Sequence, residues 1–307
     1  MAPSSNVFNL ATSSASQILS LESIRSVLQR LEDTIVFQLI ERAQFARNAP
    51  MYYPGAFPEL IEKEGWHASW VEWFLKETEG AHAKCRRWDA PDEYPFTKPD
   101  LLPKAILPPI KYPKLLYDHG INVNTDIYTH YRDVIVPTIT SDDDDGQYGS
   151  SAVRDVETLA ALSRRIHFGM FVSESKFRSD PQAFIEPIRK EDREKLEALI
   201  TKPAVEQALL VRLREKARVY GQDLDKAVGS LATQGQGATA GTAAARPASS
   251  SGEKHKIDAD DVVHIYQDFV IPMTKRVEVD YLIKRLDHLS PSQLAKIEAG
   301  EGYAEEA

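Results

Sequence analysis

Apolar side chains recur at steps of three and four residues along most of this 307-residue chain. The spacing is clearest at Ile24, Leu28, Leu31, Ile35 and Leu39, which it places on one face of a helix over about residues 20–47. An alternating strand pattern is nearly absent, and no repeat of fixed period is visible. The sequence therefore predicts an all-α, single-domain multi-helix bundle. Its further helices are predicted over about residues 66–85, 127–139, 152–177, 191–200, 203–220 and 258–287.

Three segments lack the helical spacing. Residues 1–18 are rich in Ser, Ala and Asn and are predicted to form a disordered N-terminal tail. Residues 228–254, just before the last long helix, are low in complexity and nearly free of large apolar side chains, which predicts a disordered loop. Residues 290–307 are predicted to be a polar C-terminal tail. The helical domain is thus predicted to span residues 19–289, with the loop inside it.

The charge balance restricts the classes of partner. The chain has 46 acidic and 37 basic residues, a formal net charge of −9, which argues against general binding to nucleic acid or to a membrane surface. An anionic ligand would therefore need a local cluster of basic residues. A single cysteine, Cys85, together with the lack of a long apolar run and of a signal-peptide pattern, predicts a cytoplasmic protein.

The stretch LSRRIHFGMFVSESKF, residues 162–177, places three cations in a segment that otherwise resembles helix core. Arg165 and Lys176 are eleven residues apart, about three turns, and so lie on nearly the same face. Gly169 lies between them on that face and is predicted to leave room for a ligand, whereas Arg164 points about 100° away. Taken alone, the stretch fits surface cations better, since most Arg and Lys side chains are solvated.

Three other helices carry polar residues of interest. Thr274 and Glu278 share a helix face, Glu206 lies among apolar residues at a helix start, and Arg25 lies near the beginning of its helix. Each also fits an ordinary role, as an intrahelical contact, a helix-dipole partner or an exposed arginine. Together they predict a pocket between helices for an anion with more than one carboxylate. The sequence shows no metal-binding set, no Ser–His–Asp pattern and no phosphate loop, so no metal, cofactor or nucleophile is predicted.

Four blocks of the sequence resemble the eukaryotic, fungal-type regulated chorismate mutases, which are all-helical. The blocks are IRSVLQRLEDTIVFQLIERAQF, AHAKCRRWDAPDEYPF, RDVETLAALSRRIHFGMFVSESKF and IPMTKRVEVDYLIKRL, and the similarity extends from about residue 18 to 287. The resemblance implies conversion of chorismate to prephenate, a unimolecular rearrangement of a dianion on the route to phenylalanine and tyrosine. It also implies roles for single residues. Arg25 and Arg165 would bind the two substrate carboxylates, and Lys176 and Glu278 would face the ether oxygen. Glu206 would bind the ring hydroxyl, and Thr274 would assist in the pocket. Lys202 stands where the family pattern has an asparagine, and a lysine there can still contact a carboxylate.

The resemblance further implies a homodimer that is activated by tryptophan and inhibited by tyrosine at a site between subunits. Arg86 and Arg87 match the basic pair of that effector site, and Gly149 and Ser150 match its loop-to-helix turn. Val153 stands where the family motif carries a threonine, so a hydroxyl contact to the effector would be missing.

Two other functions fit parts of the pattern. A catalytically inactive helical dimer that senses aromatic amino acids would keep the effector residues, but it would have no reason to keep the complete pocket set. A secreted mutase that acts on the chorismate of a host would need an export signal, and this sequence shows none.

Overall fold

The computed structural model describes residue 10 and residues 12–221 and 257–303, and these are built from helices, with no β-strand among them. The predicted all-α fold is therefore confirmed. The predicted loop at 228–254 and most of the predicted N-terminal tail lie outside the described residues. The α-helices are α1 (Ala15–Ile18), α2 (Leu21–Arg42), α3 (Pro58–Glu64), α4 (Trp70–Lys84), α5 (Asn124–His130), α6 (Val136–Ile139), α7 (Tyr148–His167), α8 (Gly169–Ser179), α9 (Pro181–Arg189), α10 (Arg193–Ile200), α11 (Pro203–Tyr220), α12 (Ala259–Ile265), α13 (Ile271–Ile283) and α14 (Pro291–Glu298).

Side-chain caps explain where several helices begin. The hydroxyl of Ser20 accepts a hydrogen bond from the backbone N–H of Ser23 at the start of α2. At α4, Ser69 and Glu72 form a capping box, in which each side chain accepts the other's backbone N–H. The carboxylate of Asp258 accepts from the N–H of Asp260 and so caps α12. These caps satisfy backbone donors that have no partner within the helix.

The core lies between α2 and α7, which pack along their lengths together with α4, α5, α11 and α12. Within it a fully buried ion pair joins α2 to α7, since Nε of Arg42 lies 2.6 Å from Oδ1 of Asp155. The hydroxyls of Tyr52 and Tyr131 also donate to Asp155, at 2.7 and 2.8 Å. A buried charge is tolerated only when it is paired and hydrogen-bonded in this way. The network therefore fixes the two long helices against each other.

Proline interrupts two helices in the same manner. A π-helical turn, Tyr131–Ile135, precedes Pro137, and a second one, Tyr266–Val270, precedes Pro272. Proline lacks an N–H and its ring collides with the carbonyl four residues earlier, and a π turn relieves both effects. The second π turn lies between α12 and α13, beside the cavity described below.

Both predicted tails contain ordered structure. Residues 15–18 form α1, where Ser14 and Gln17 make a capping box. Residues 291–298 form α14, and Ile297 is buried in an apolar cluster with α8, α9, α10 and α13. Short polar helices of this kind give a weak signal in sequence, because their stability comes from a few tertiary contacts. The expectation of disorder is therefore wrong at residues 15–18, and the predicted polar tail contains a short helix.

Candidate active site

A cavity of about 210 Å³ lies between α2, α7, α8, α11 and α13. All seven residues that the sequence assigns to the substrate pocket line it, although they come from four separate blocks of the chain. Its walls are completed by aliphatic side chains, by Thr201 and by one further lysine, Lys275. The predicted set comprises Arg25, Arg165, Lys176, Lys202, Glu206, Thr274 and Glu278.

Arg165 lies near the end of α7 and is only 6% exposed. Its Nη1 lies 3.4 Å from Oγ1 of Thr274, whose own hydroxyl donates to the carbonyl of Val270 at 2.6 Å. Within the described part of the chain, its buried Nε has no hydrogen-bond partner, and no carboxylate pairs with the guanidinium. A buried cation without an anion is costly. The geometry is therefore suited to an anionic ligand that supplies the missing partner.

Lys176 extends from α8 towards the far end of α10. Its ammonium donates to the carbonyls of Ile200 and, at 3.5 Å, of Leu199, and these carbonyls carry the partial negative charge of a helix C-terminus. Burial lowers the pKa of Lys176, the charge of Glu278 opposes that effect, and Lys202 adds to it. An ammonium has three donors, so one remains for a ligand.

Glu278 lies on α13, one turn after Thr274, and is 8% exposed. Burial raises its pKa to about 8, against the opposing charges of Arg165 and Lys176, while Glu206 raises it further. The carboxyl is therefore mostly protonated at neutral pH and can donate a hydrogen bond into the cavity. Sequence alone leaves the balance between burial and these cations open.

Gly169 does not leave room for a ligand, contrary to the prediction. A Cβ at this position would lie 2.8 Å from Cγ of Glu278, 2.9 Å from Cγ2 of Thr274 and 3.3 Å from the Thr274 carbonyl oxygen. The space is thus filled by α13, which approaches the start of α8 closely. The helix predicted over residues 152–177 is in fact two helices that meet at Phe168. The first, α7, ends at His167, and the second, α8, begins at Gly169.

Arg25 and Lys202 stand at the open side of the cavity. Both are exposed, and within the ranges that the structure describes neither makes an ion pair. Glu206, by contrast, is paired, since Nζ of Lys275 lies 3.0 and 3.3 Å from its two carboxylate oxygens. Lys275 was not among the residues predicted from the sequence, although it directly follows Thr274 and stands three residues before Glu278, on the cavity side of the same helix.

Arg164 faces away from the cavity, as predicted. Its guanidinium pairs with the buried carboxylate of Asp92, at 2.6 Å, and lies 3.5 Å from Glu93. It ties the end of α7 to the segment after α4. Of the three cations in the 162–177 stretch, Arg164 is thus structural, and Arg165 and Lys176 line the cavity.

Comparison with known proteins agrees with this geometry. The family pattern Chorismate mutase type II matches residues 147–279. A chorismate mutase of Emericella nidulans is 42% identical over 282 residues, which cover 89% of this chain and 95% of that protein. The chain belongs to the chorismate mutase family. Its fold is also similar to the crystal structure of Aro7p chorismate mutase from Candida albicans in complex with L-Trp, with a TM-score of 0.78 and 37% identity over 94% of this chain and 99% of that one.

A further related structure is AtCM1 with tyrosine bound in its allosteric site, with a TM-score of 0.73 and 39% identity over 89% of this chain and 98% of that one.

The residues that the sequence assigns to an effector site lie in two separate places in this chorismate mutase. Arg86 and Arg87 follow α4, where Arg86 pairs with Asp89 and Arg87 with Glu93. Gly149, Ser150 and Val153 lie in the first turns of α7, and all three are exposed.

Within one chain these two places are far apart. Glu93 accepts from Arg87 and also lies 3.5 Å from Arg164, so the arginine pair lies beside the last turn of α7. Gly149 stands fifteen residues earlier on the same helix, which corresponds to about 22 Å along its axis. One copy of the chain therefore does not bring the predicted effector residues into a single site.

Proposed function

We propose that this protein is a regulated chorismate mutase that converts chorismate to prephenate. The observation that carries the proposal is a cavity lined by five cations, of which four have no carboxylate partner within 4 Å in the described residues: Arg25, Arg165, Lys176 and Lys202. Glu278 lies beside them, and burial raises its pKa to about 8, so its carboxyl is mostly protonated at neutral pH. A site that offers unpaired positive charge and one neutral acid suits a dianion such as chorismate.

The reaction needs no nucleophile, because one C–O bond breaks and one C–C bond forms within the same molecule. Catalysis then depends on holding the substrate folded and on stabilising the charge that grows on its ether oxygen. In the proposed arrangement Arg25 and Arg165 bind the two carboxylates. Lys176 and protonated Glu278 donate to the ether oxygen, and donors fixed in place before the reaction cost no reorganisation during it.

The remaining cavity residues take supporting roles in this proposal. Glu206 accepts the ring hydroxyl, and its position in the first turn of α11 suits a carboxylate. Thr274 touches Arg165 and so orients its guanidinium. Lys202, at the N-cap of α11, adds positive charge near a substrate carboxylate.

The test replaces single arginines. Arg165→Ala and Arg25→Ala each remove a carboxylate partner, and a loss on the order of 2–5 kcal/mol for a buried, bidentate contact corresponds to at least ~30-fold in kcat/KM for Arg165→Ala. Arg25 is exposed, so its loss is expected to be smaller. Arg30→Ala serves as the control, because Arg30 is exposed on the same helix and does not line the cavity. Prephenate formation is measured for each folded variant, and near-parental kcat/KM for Arg165→Ala would refute the assignment.

We also propose that the enzyme is a homodimer with its effector sites between subunits, activated by tryptophan and inhibited by tyrosine. The separation of Arg86 and Arg87 from Gly149 and Ser150 supports this, because two copies related by a two-fold axis can bring opposite ends of α7 together. The aromatic amino acids bound in the related structures supply the effector class. Val153 offers no hydroxyl to an effector, so tyrosine is expected to bind less tightly here than it would beside a threonine.

The two alternative functions make different predictions. An inactive sensor would bind tryptophan but form no prephenate.

For localisation we propose the cytoplasm, which suits the exposed free thiol of Cys85 because a reducing compartment keeps a thiol from oxidising. In the part of the chain that the structure covers, no helix has the length and hydropathy to cross a bilayer. Fractionation of the native cells, followed by a mutase assay on each fraction, distinguishes a cytoplasmic from a secreted enzyme.

A further inference from the structure

Lys275 is the cavity cation that already has partners. Its Nζ lies 3.0 Å from Oε1 of Glu206 on α11 and 3.3 Å from Oε1 of Glu197 on α10. The lysine itself is about one-fifth exposed, and the more distant Glu197 is about half exposed. Lys275 thus stands between a carboxylate that faces the cavity and one that faces solvent.

Without Lys275, Glu206 would have another cation close by. Lys202 is the N-cap residue of α11, and Glu206 lies in the first turn of that helix. Both residues line the cavity. A Glu206 carboxylate released from Lys275 would therefore turn to Lys202 and compete with any anion that enters.

We propose, on the basis of the proposed mutase function, that Lys275 is a positioning residue for substrate binding. Its ammonium engages both oxygens of Glu206, which holds that carboxylate at the cavity wall with lone pairs still free for a hydroxyl. In doing so it leaves Lys202 and its cationic neighbours unpaired for the dianionic substrate. Lys275 acts through Glu206 and does not itself contact the substrate.

The experiment separates KM from kcat in a double-mutant cycle. Lys275→Gln is expected to raise KM for chorismate about tenfold and to change kcat less than about threefold, because binding of the ground state is what suffers. In a Glu206→Gln background, the same lysine change is expected to shift KM by less than about twofold, since no carboxylate is left to compete. Lys275→Arg keeps the ion pair and is expected to restore most of the affinity.

Glu197→Gln is the matched control, since it removes the solvent-side partner and leaves the Lys275–Glu206 pair in place. Its KM is expected to equal that of the parent. A KM increase in Glu197→Gln as large as in Lys275→Gln would show that Lys275 only ties α10 to α13, and would overturn the inference. So would a parental KM in Lys275→Gln, or the same loss with and without Glu206. Lys275→Met, which keeps the aliphatic stem, replaces the Gln variant if that one does not fold.

Calorimetric binding of prephenate to the same four proteins of the cycle keeps the two proposals distinguishable. A parent protein that does not rearrange chorismate refutes the proposed function. A parent that is active, but in which residues 275 and 206 contribute independently to KM and to prephenate affinity, refutes the positioning role of Lys275.

Discussion

The protonation state of one residue, Glu278, decides how the proposed active site works. The charge that develops on the ether oxygen would be repelled by a carboxylate, whereas a protonated acid donates to it. Arg165, Lys176 and Lys275 favour the ionised form, Glu206 disfavours it, and burial outweighs the cations, so that the pKa rises to about 8. The acid is therefore a donor below that pH and an anion above it.

This gives a prediction for the pH dependence. The kcat/KM of the parent is expected to stay level through neutral pH and to fall above pH about 8, the raised pKa of Glu278, because deprotonation removes the donor. Glu278→Gln donates a hydrogen bond at every pH, so its profile is expected to stay flat on the alkaline side while substantial activity remains. Steady-state rates of both proteins from pH 5 to about 9.5 provide the measurement. A parent profile without an alkaline decline would contradict the role of Glu278.

At the level of helices, the site depends on the close approach of α8 and α13. Ser173 on α8 donates to the carbonyl of Glu278 at 3.0 Å, and Gly169 presses against the side chains of Thr274 and Glu278. The two helices pack extensively along this contact. Glycine is required there because no side chain fits, rather than for a special backbone conformation.

Gly169→Ala tests this contact. The added methyl would lie 2.8 Å from the side chain of Glu278 and is expected to displace it, which lowers kcat by about tenfold or more. Overpacking also costs about 1–3 kcal/mol of stability. Gly80→Ala on α4 is the control, because its Cβ would meet Pro103 at an ordinary 3.6 Å. Rates and thermal unfolding of both variants are compared with the parent, and full activity in Gly169→Ala would show that the contact does not position Glu278.

At the scale of the whole molecule, regulation is proposed to require two copies of the chain. The arginine pair after α4 and the first turn of α7 belong to one effector site only if they come from different subunits. The helix α7 would then connect the two functions directly, because Gly149 stands near its start and Arg165 near its end. An effector bound near Gly149 can change the position of Arg165 only if the effector binds with different affinity to two arrangements of α7.

Mixed dimers test this arrangement. One chain carries Arg86→Ala and Arg87→Ala, and the other carries Ser150→Asp, whose charge repels the carboxylate of an amino acid. Each variant alone is expected to lose activation by tryptophan, whereas dimers with one chain of each kind regain it because one intact site forms across the interface. Differently tagged chains are co-expressed, purified through both tags and assayed with and without tryptophan. Mixed dimers that do not respond, or a protein that sediments as a monomer, would contradict the proposal.

The helical fold and part of the candidate site could be predicted from the local spacing of residues along the sequence. The three- and four-residue recurrence of apolar side chains determined that the chain is helical. Helix geometry placed Thr274 and Glu278 on a shared face, because residues four apart lie on the same side of one helix. Arg165 and Lys176 were expected to share a face in the same way, but they lie on two helices, α7 and α8, and the packing of those helices brings both to the cavity. The residue types also predicted one pocket between helices from six of the residues that the structure finds around the cavity, and the family resemblance added Lys202 and assigned a role to each. Helix geometry by itself supports only the relations within single helices.

What the tertiary structure decided are the relations between helices. The raised pKa of Glu278 depends on how deeply α13 is buried, and the contact of Gly169 depends on how closely α8 approaches. The pairing of Lys275 with Glu206 joins residues 69 positions apart, and the burial of Ile297 needs four other helices. Local spacing specifies which face of a helix is apolar. It does not specify which helix covers that face, and electrostatics and packing at the site follow from that choice.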